Sequence, residues 1–380
     1  MIKLVPGYAT RAATETYART FGAGCGAGHY SDFLNLHLKL SSLGVGTFPG
    51  AATDEVDECY ARIVRDAVIA GINVFDTAAH YRYGRSARAL GEGLRRAFAD
   101  GVAREQVFVV AKGGFLAFPG GIPDDPEAWF DANIAAAGLG TRQDRAGNHL
   151  ISPQHVVAQL DTLRAALGLE TIDAYLLDQP EVHFPVIGKE YANRKILAVF
   201  EALEVAVAAG KLRSYGIATF DGLRVETDAL AFQSIASLLG LSEQAARKAP
   251  GEPFGGPGFR VAEFPFNQVM PEAFTRFSQA TGHGNVASSI QAAHQLRVYA
   301  IASHTLGKGL LASQCADGVA DALADLANDA QRAMQFNRST PGIGTSLAGI
   351  SDPAHLEDLV AVARRAPLAR DAYLKLYERA

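Results

Sequence analysis

The sequence predicts a closed (β/α)8 barrel of the TIM type, with long loops after its strands and an N-terminal extension. Eight β-prone runs alternate with segments whose apolar residues recur at helical spacing, the pattern of a closed barrel more than of an open sheet. The 380 residues exceed one ordinary domain, yet such barrels grow through loop insertions. Several runs also end in charged residues, among them Asp76 and Lys112, and the C-terminal ends of barrel strands are where catalytic groups gather.

Residues 1–42 do not fit the repeat and are read as an extension before a barrel of residues 43–380. Leu36 to Leu40 alternates in hydropathy, consistent with a hairpin plugging the bottom of the barrel. The glycine-rich run Gly22 to Gly28 lacks the preceding strand and following helix of a dinucleotide loop, so it reads as a flexible loop. Leu43 to Thr47 is the first strand and Glu55 to Ala70 its helix. The second strand covers residues 72–76, and Arg85 to Ala99 the helix behind it. The third, 107–112, runs into a long loop holding Phe115, Phe118 and Trp129, before a helix from Pro153 to Leu167. A loop of that length is usually functional.

The fourth strand, 172–177, precedes an insertion through Lys189 and a helix ending at Ala209, and Leu212 to Thr219 is the fifth. The prolines and glycines of Pro250 to Pro257 can continue neither a helix nor an inner strand, so the sixth is placed after them, from Phe259 to Pro265. Val298 to Ser303 and Ile343 to Gly349 complete the eight, each with a helix following. The loops after strands three to five then crowd one rim into a lidded, partly apolar pocket suited to a bulky or hydrophobic small molecule.

Asp76 ends a buried strand, and Tyr81 follows five residues later. A buried Lys112 requires a partner, and Asp76 is the obvious one. A lysine directed at a phenol favours the phenolate, which would lower the Tyr81 pKa and make it a proton donor and acceptor near neutrality. Singly, each residue reads more readily as structure: an aspartate caps a helix or pairs with a structural lysine, and one tyrosine near a loop proves little. Their recurrence at the ends of successive units favours a site.

With Asp76-Thr-Ala-Ala-His-Tyr81 and Lys112 in hand, the chain from about Leu43 onward resembles the aldo-keto reductases, whose hydride transfer from a nicotinamide uses Asp, Tyr, Lys and a later strand-end His. The resemblance implies Asp76, Tyr81, Lys112 and Asp178 as catalytic positions. Asp178, in Leu176-Leu-Asp-Gln-Pro180, stands where the histidine is expected. An ionised carboxylate there would repel a developing oxyanion, so either Asp178 is protonated or the chemistry has changed. Burial and neighbouring negative charge permit a protonated Asp178 that polarises a carbonyl. Within the family, glutamate in the histidine's place is associated with reduction of a carbon–carbon double bond conjugated to a carbonyl. If Asp178 were instead ionised and paired with Lys112, ketone reduction would be slow and His183 a candidate substitute. His80, His183 and His304 otherwise read as loop residues.

The resemblance also implies cofactor contacts at Thr47, Thr219, Glu263, Ser303, Leu306, Lys308, Gly349, Ser351 and His355. Helix-start amides suit a phosphate. Several side chains depart from the family pattern: Ala218 and Thr219 replace Ser-Asn, Glu263 replaces Gln, Ser303 replaces a stacking aromatic, and Leu359 replaces an Asn. Asp352 falls where Lys or Arg often meets the 2′-phosphate of NADP and would repel it. NAD is therefore favoured over NADP, and loss of the dinucleotide remains an alternative.

Composition excludes other classes. The net charge of −5, with Lys and Arg scattered among acids, argues against nucleic acid. No apolar run reaches the roughly 18 residues of a membrane span, and no signal-peptide core is seen, so the expected location is cytoplasmic. Cys25, Cys59 and Cys315 lack paired metal spacing, so no metal is expected. The oligomeric state is open. Three functions are carried forward: a nicotinamide-dependent oxidoreductase acting on a carbonyl or conjugated enone with Tyr81 as proton donor; a non-redox dehydratase, isomerase or cyclase using Tyr81 and Asp178; and a non-catalytic accessory protein, against which the joint presence of Asp76, Tyr81 and Lys112 speaks.

Overall fold

The computed structural model describes residues 4–33, 37–249, 256–282 and 284–377. The first strands in chain order are β1 (Tyr30–Phe33), β2 (Leu38–Ser41), β3 (Leu43–Gly46), β4 (Val74–Ala78), β5 (Phe108–Gly113) and the short β6 (Arg145–Ala146). Then follow β7 (His149–Leu150), β8 (Ile172–Asp178), β9 (Leu212–Ala218), β10 (Phe259–Pro265), β11 (Phe277–Gly282), β12 (Asn285–Ser288), β13 (Tyr299–Ser303) and β14 (Thr345–Gly349). Strands β3, β4, β5, β8, β9, β10, β13 and β14 close into one barrel in that order, and each barrel pair is parallel.

The helix after β3 shows how local chemistry sets the repeat. Thr53 caps it by accepting the Val56 N–H, and Asp54, Glu55 and Asp57 place negative charge in the first turn, where the helix dipole favours it. Tyr60, Ile63, Val64, Ala67 and Val68 recur at helical spacing and are buried. The helix stops at Ala70 because Gly71 turns the chain at φ +100°, a conformation that β-branched and bulky residues avoid.

The second barrel strand begins and ends two residues later than its apolar run predicts. Asn73 is not part of it. Its side chain accepts from Ser41 N at 2.9 Å and donates to the carbonyls of Lys39 at 3.0 Å and Gln106 at 3.2 Å, joining the hairpin to the barrel. Asp76 therefore lies within β4, beside Val110 of β5, and Lys112 pairs in register with Ala78.

Strands β1 and β2 form an antiparallel hairpin whose tip, with Leu36, lies outside the described residues. Phe33, Leu38 and Leu40 share one buried cluster with Val74, Phe108, Val261 and Tyr299, near the starts of four barrel strands. The hairpin therefore closes the N-terminal end, with Phe33 edge-on to Tyr299 at 4.6 Å and Phe108 at 5.9 Å. The Gly22 to Gly28 run leaves Ala23, Gly24, Ala27 and Gly28 exposed but meets a distant backbone segment at Gly26. A Cβ at Gly26 would stand 2.1 Å from the backbone carbonyl carbon of Arg365, so only glycine allows that approach. Residues 250–255 of the Pro250 to Pro257 segment lie outside the described residues.

After β5, the loop builds a small core of its own from Leu116, Phe118, Phe130, Ile134 and Leu150, with Trp129 packed against it. No helix among the described residues is long and apolar enough to cross a membrane.

Candidate active site at the barrel mouth

Alternation along a strand decides which side chains enter the barrel. Val74, Phe108, Val110, Ala174, Leu176 and Val261 belong to the interior cluster, so the next in-phase residues toward the mouth are Asp76, Lys112, Asp178 and Glu263. All four are at least 95% buried, with exposures of 3% for Asp76, 1% for Lys112, 5% for Asp178 and 5% for Glu263. Three carboxyls and one ammonium thus occupy one layer above an apolar floor.

Lys112 Nζ donates to both oxygens of Asp76 at 2.7 Å and to both of Glu263 at 2.8 and 3.1 Å. Burial opposes the lysine's charge, but Asp76 and Glu263 outweigh it and hold its pKa well above the ordinary value. Its contact with Tyr81 is through the ring face, 5.3 Å from the centroid. This corrects the expectation of a lowered Tyr81 pKa. Burial pushes the phenol well above its ordinary value, and Asp76, Asp178 and Glu263 add to the rise against the pull of Lys112.

Asp178 is pushed up to about 7 by burial, with Glu263 and Glu181 raising it and Lys112 opposing them. Of the alternatives left by the sequence, a partly protonated acid fits better than an ion paired with Lys112, whose hydrogens are already given to the two other carboxylates.

Behind Asp178 is a pair of histidines. His149 Nε2 donates to the Asp178 carbonyl at 2.5 Å, which leaves its Nδ1 to accept from His183 Nε2 at 2.8 Å. His183 is therefore held in a structural contact and is not free to substitute at the acid position. A row of rings runs along the rim from Phe48 through Tyr81, His80, Phe115 and His149 to His183, with centroid spacings of 4.8–5.0 Å. Phe48, at its outer end, is 59% exposed and offers an apolar surface beside Tyr81.

The remaining sequence-predicted positions divide into two groups. Three have side chains committed within the protein. Thr47 Oγ1 donates to the Asp76 carbonyl at 3.0 Å. Thr219 Oγ1 donates to Glu181 at 2.5 Å and accepts from Gly222 N at 2.7 Å. Glu263, expected among the cofactor contacts, is paired with Lys112 in the charged cluster. The others line the rim. Ser303 ends β13, and Leu306 and Lys308 lie in the loop beyond it, where Gly307, Lys308 and Gly309 all take positive φ. Gly349 ends β14, with Ser351 and His355 at the start of the helix Pro353–Ala363. Asp352 caps that helix by accepting from Ala354 N at 2.9 Å, which places a carboxylate where a phosphate would otherwise meet the helix start.

Glu263 and His149 are the residues whose placement sequence reasoning missed. In-phase alternation with Val261 was a usable signal for Glu263. His149 lies in an insertion, and nothing in the sequence marks it.

A family model described as the aldo/keto reductase family matches residues 42–231. An NAD(P)H-dependent D-xylose reductase of Candida tropicalis is 24% identical over 210 residues, 50% of this chain and 51% of that protein. A D-threo-aldose 1-dehydrogenase of a Pseudomonas species is 30% identical over 186 residues, 47% of this chain and 49% of that protein. The chain thus spans about half the length of the curated relatives it matches. A solved aldo/keto reductase of Klebsiella pneumoniae, in complex with NADP and acetate, superposes with a TM-score of 0.58 at 14% identity over 93% of this chain and 95% of that one, which shows a shared fold.

Proposed function

Since the chain belongs to the aldo/keto reductase family, we propose that it is an oxidoreductase transferring hydride from a nicotinamide dinucleotide to a carbonyl compound, with a conjugated enone as the favoured acceptor. One observation carries this reading: a buried acid, Asp178, with its pKa pushed up to about 7, stands beside a Lys112 already neutralised by other carboxylates. A carboxyl still protonated near neutrality donates a hydrogen bond to a carbonyl oxygen and withdraws charge into an enolate-like state, as an ionised one could not. The proton comes from the Tyr81 and Asp178 pair, while Asp76 and Lys112 set the local charge. Phe48 and Phe115 give the entrance an apolar lining suited to a bulky substrate.

A dinucleotide suits the rim at its diphosphate end. Gly307, Lys308 and Gly309 turn the loop after β13 at positive φ, and Lys308 there is an exposed cation that suits a phosphate. Leu306, Lys308, Gly349, Ser351 and His355 would hold it, with Ser303 toward the ring. When bound it supplies the hydride. Asp352 disfavours a 2′-phosphate, so NAD is the proposed partner over NADP.

The second reading, proton-transfer chemistry without a dinucleotide, draws on Thr219 and Glu263, whose side chains are turned into the protein. Asp178→His tests the first reading. Enone turnover should be lost while plain carbonyl reduction appears, and unchanged enone turnover would remove Asp178 from the chemistry.

A further inference from the structure

Glu263 is the unexpected member of the cluster, and its geometry bears on which group gives up the proton. The Lys112 ammonium has three hydrogens, and four carboxylate oxygens from Asp76 and Glu263 lie within 3.1 Å of it. The two acids come from strands β4 and β10, on different sides of the barrel, so together they fix the ammonium between them. Held there, it faces the Tyr81 ring. An ammonium over a ring face interacts with the π electrons and does nothing to stabilise a phenolate oxygen by hydrogen bonding.

We propose that Glu263 is a positioning residue: by sharing Lys112 with Asp76 it keeps the ammonium from the Tyr81 hydroxyl and leaves Asp178 as the acid that delivers the proton. The inference rests on the reductase reading given above. In the step, the Asp178 O–H bond breaks and a bond forms from that hydrogen to the substrate's carbonyl oxygen. Hydride from the dihydronicotinamide supplies the electron pair for the new C–H bond. Asp178 is left as a carboxylate within the field of Glu263, Glu181 and Asp76, and this excess of negative charge favours its reprotonation from solvent.

The groups facing Asp178 are Lys112 from β5, Glu263 from β10, Asp76 from β4, Tyr175 from β8 and Glu181 and Gln179 from its own loop, with Tyr81 from the loop after β4. Removing one charge among them should be legible at Asp178 itself. Full-length protein labelled with 13C at the aspartate carboxyls, with Asp178→Asn to assign the resonance, gives its titration without any turnover. The midpoint should lie near neutrality and fall by about one pH unit or more in Glu263→Gln. Glu263→Asp, which keeps the charge but shortens its reach toward Lys112, should move it the same way by less, and it serves if the glutamine variant does not fold. A midpoint unmoved in the folded variant overturns the proposal, whether or not the protein turns anything over.

Turnover of an enone with NADH then separates the proposal from the reading beneath it. In the unaltered protein Asp178→Asn should cost at least a hundredfold in kcat and Tyr81→Phe less than tenfold. In the Glu263→Gln background the order should reverse, because Lys112 is released toward the phenol. Tyr81→Phe as the costlier change in both backgrounds overturns the positioning role. Absence of turnover with a normally shifting Asp178 overturns the reductase reading and leaves the placement of Glu263 standing.

Discussion

At the residue scale, the site's electrostatics make Lys112 its most sensitive point. One ammonium is the shared partner of two buried carboxylates, so Lys112→Met should cost on the order of 3–5 kcal/mol of stability by leaving both unpaired. Adding Asp76→Asn and Glu263→Gln to that variant should restore most of the loss, and urea unfolding of the unaltered protein and the two variants would show it. No recovery in the triple variant would mean that the cluster is not the cause. Asp178 gives a pH prediction. Its folded pKa, raised mainly by burial to about 7, lies above its unfolded value near 4, so the folded state binds the extra proton across that interval. Stability should therefore fall as pH rises from about 4 to about 7, and Asp178→Asn should flatten this slope. Equal slopes in the two proteins would place the pKa elsewhere.

What the sequence reveals at this scale depends on how far each inference must reach. The Asp76–Lys112 contact is legible because both residues end apolar runs on neighbouring strands, and a buried lysine demands a carboxylate. The raised Tyr81 pKa is not, because it comes first from burial that only the folded barrel creates, with Asp76, Asp178 and Glu263 adding to it. His149 is hidden for a related reason: it reaches the Asp178 carbonyl from an insertion whose fold has no periodic signal.

At the element scale, the eight strand runs are readable from alternation and apolar content, and β10 lies at the predicted bounds. The second strand is displaced because Asn73, the polar exception in its predicted apolar run, uses its side chain to tie the hairpin to the barrel. The extension has few sequence signals, since its packing is against distant elements. Asp173 of β8 illustrates the wiring: its carboxylate accepts from Ala9 N at 2.6 Å, Arg104 Nη2 at 2.7 Å and Val109 N at 2.8 Å, all without contact with solvent on the aspartate side. Phe33→Ala should cost about 3–5 kcal/mol, the usual range for an aromatic truncated in a core, because it empties the floor of the barrel under Phe108 and Tyr299. A loss below 1 kcal/mol in urea unfolding would show that the hairpin is not a structural plug.

At the scale of the whole molecule, the barrel gathers its polar layer at one end, while the hairpin of the extension packs on the apolar cluster at the other. Asp178 and Glu263 lie on two strands of the family's barrel. The proposed redox function requires a dinucleotide at that mouth. Its most direct test is a parallel fluorescence titration of the full-length protein with NADH and NADPH. The account predicts micromolar binding of NADH, near −8 kcal/mol, with NADPH weaker because Asp352 meets its 2′-phosphate. Failure to bind either would contradict it and leave proton transfer by Tyr81 and Asp178 as the chemistry of the site.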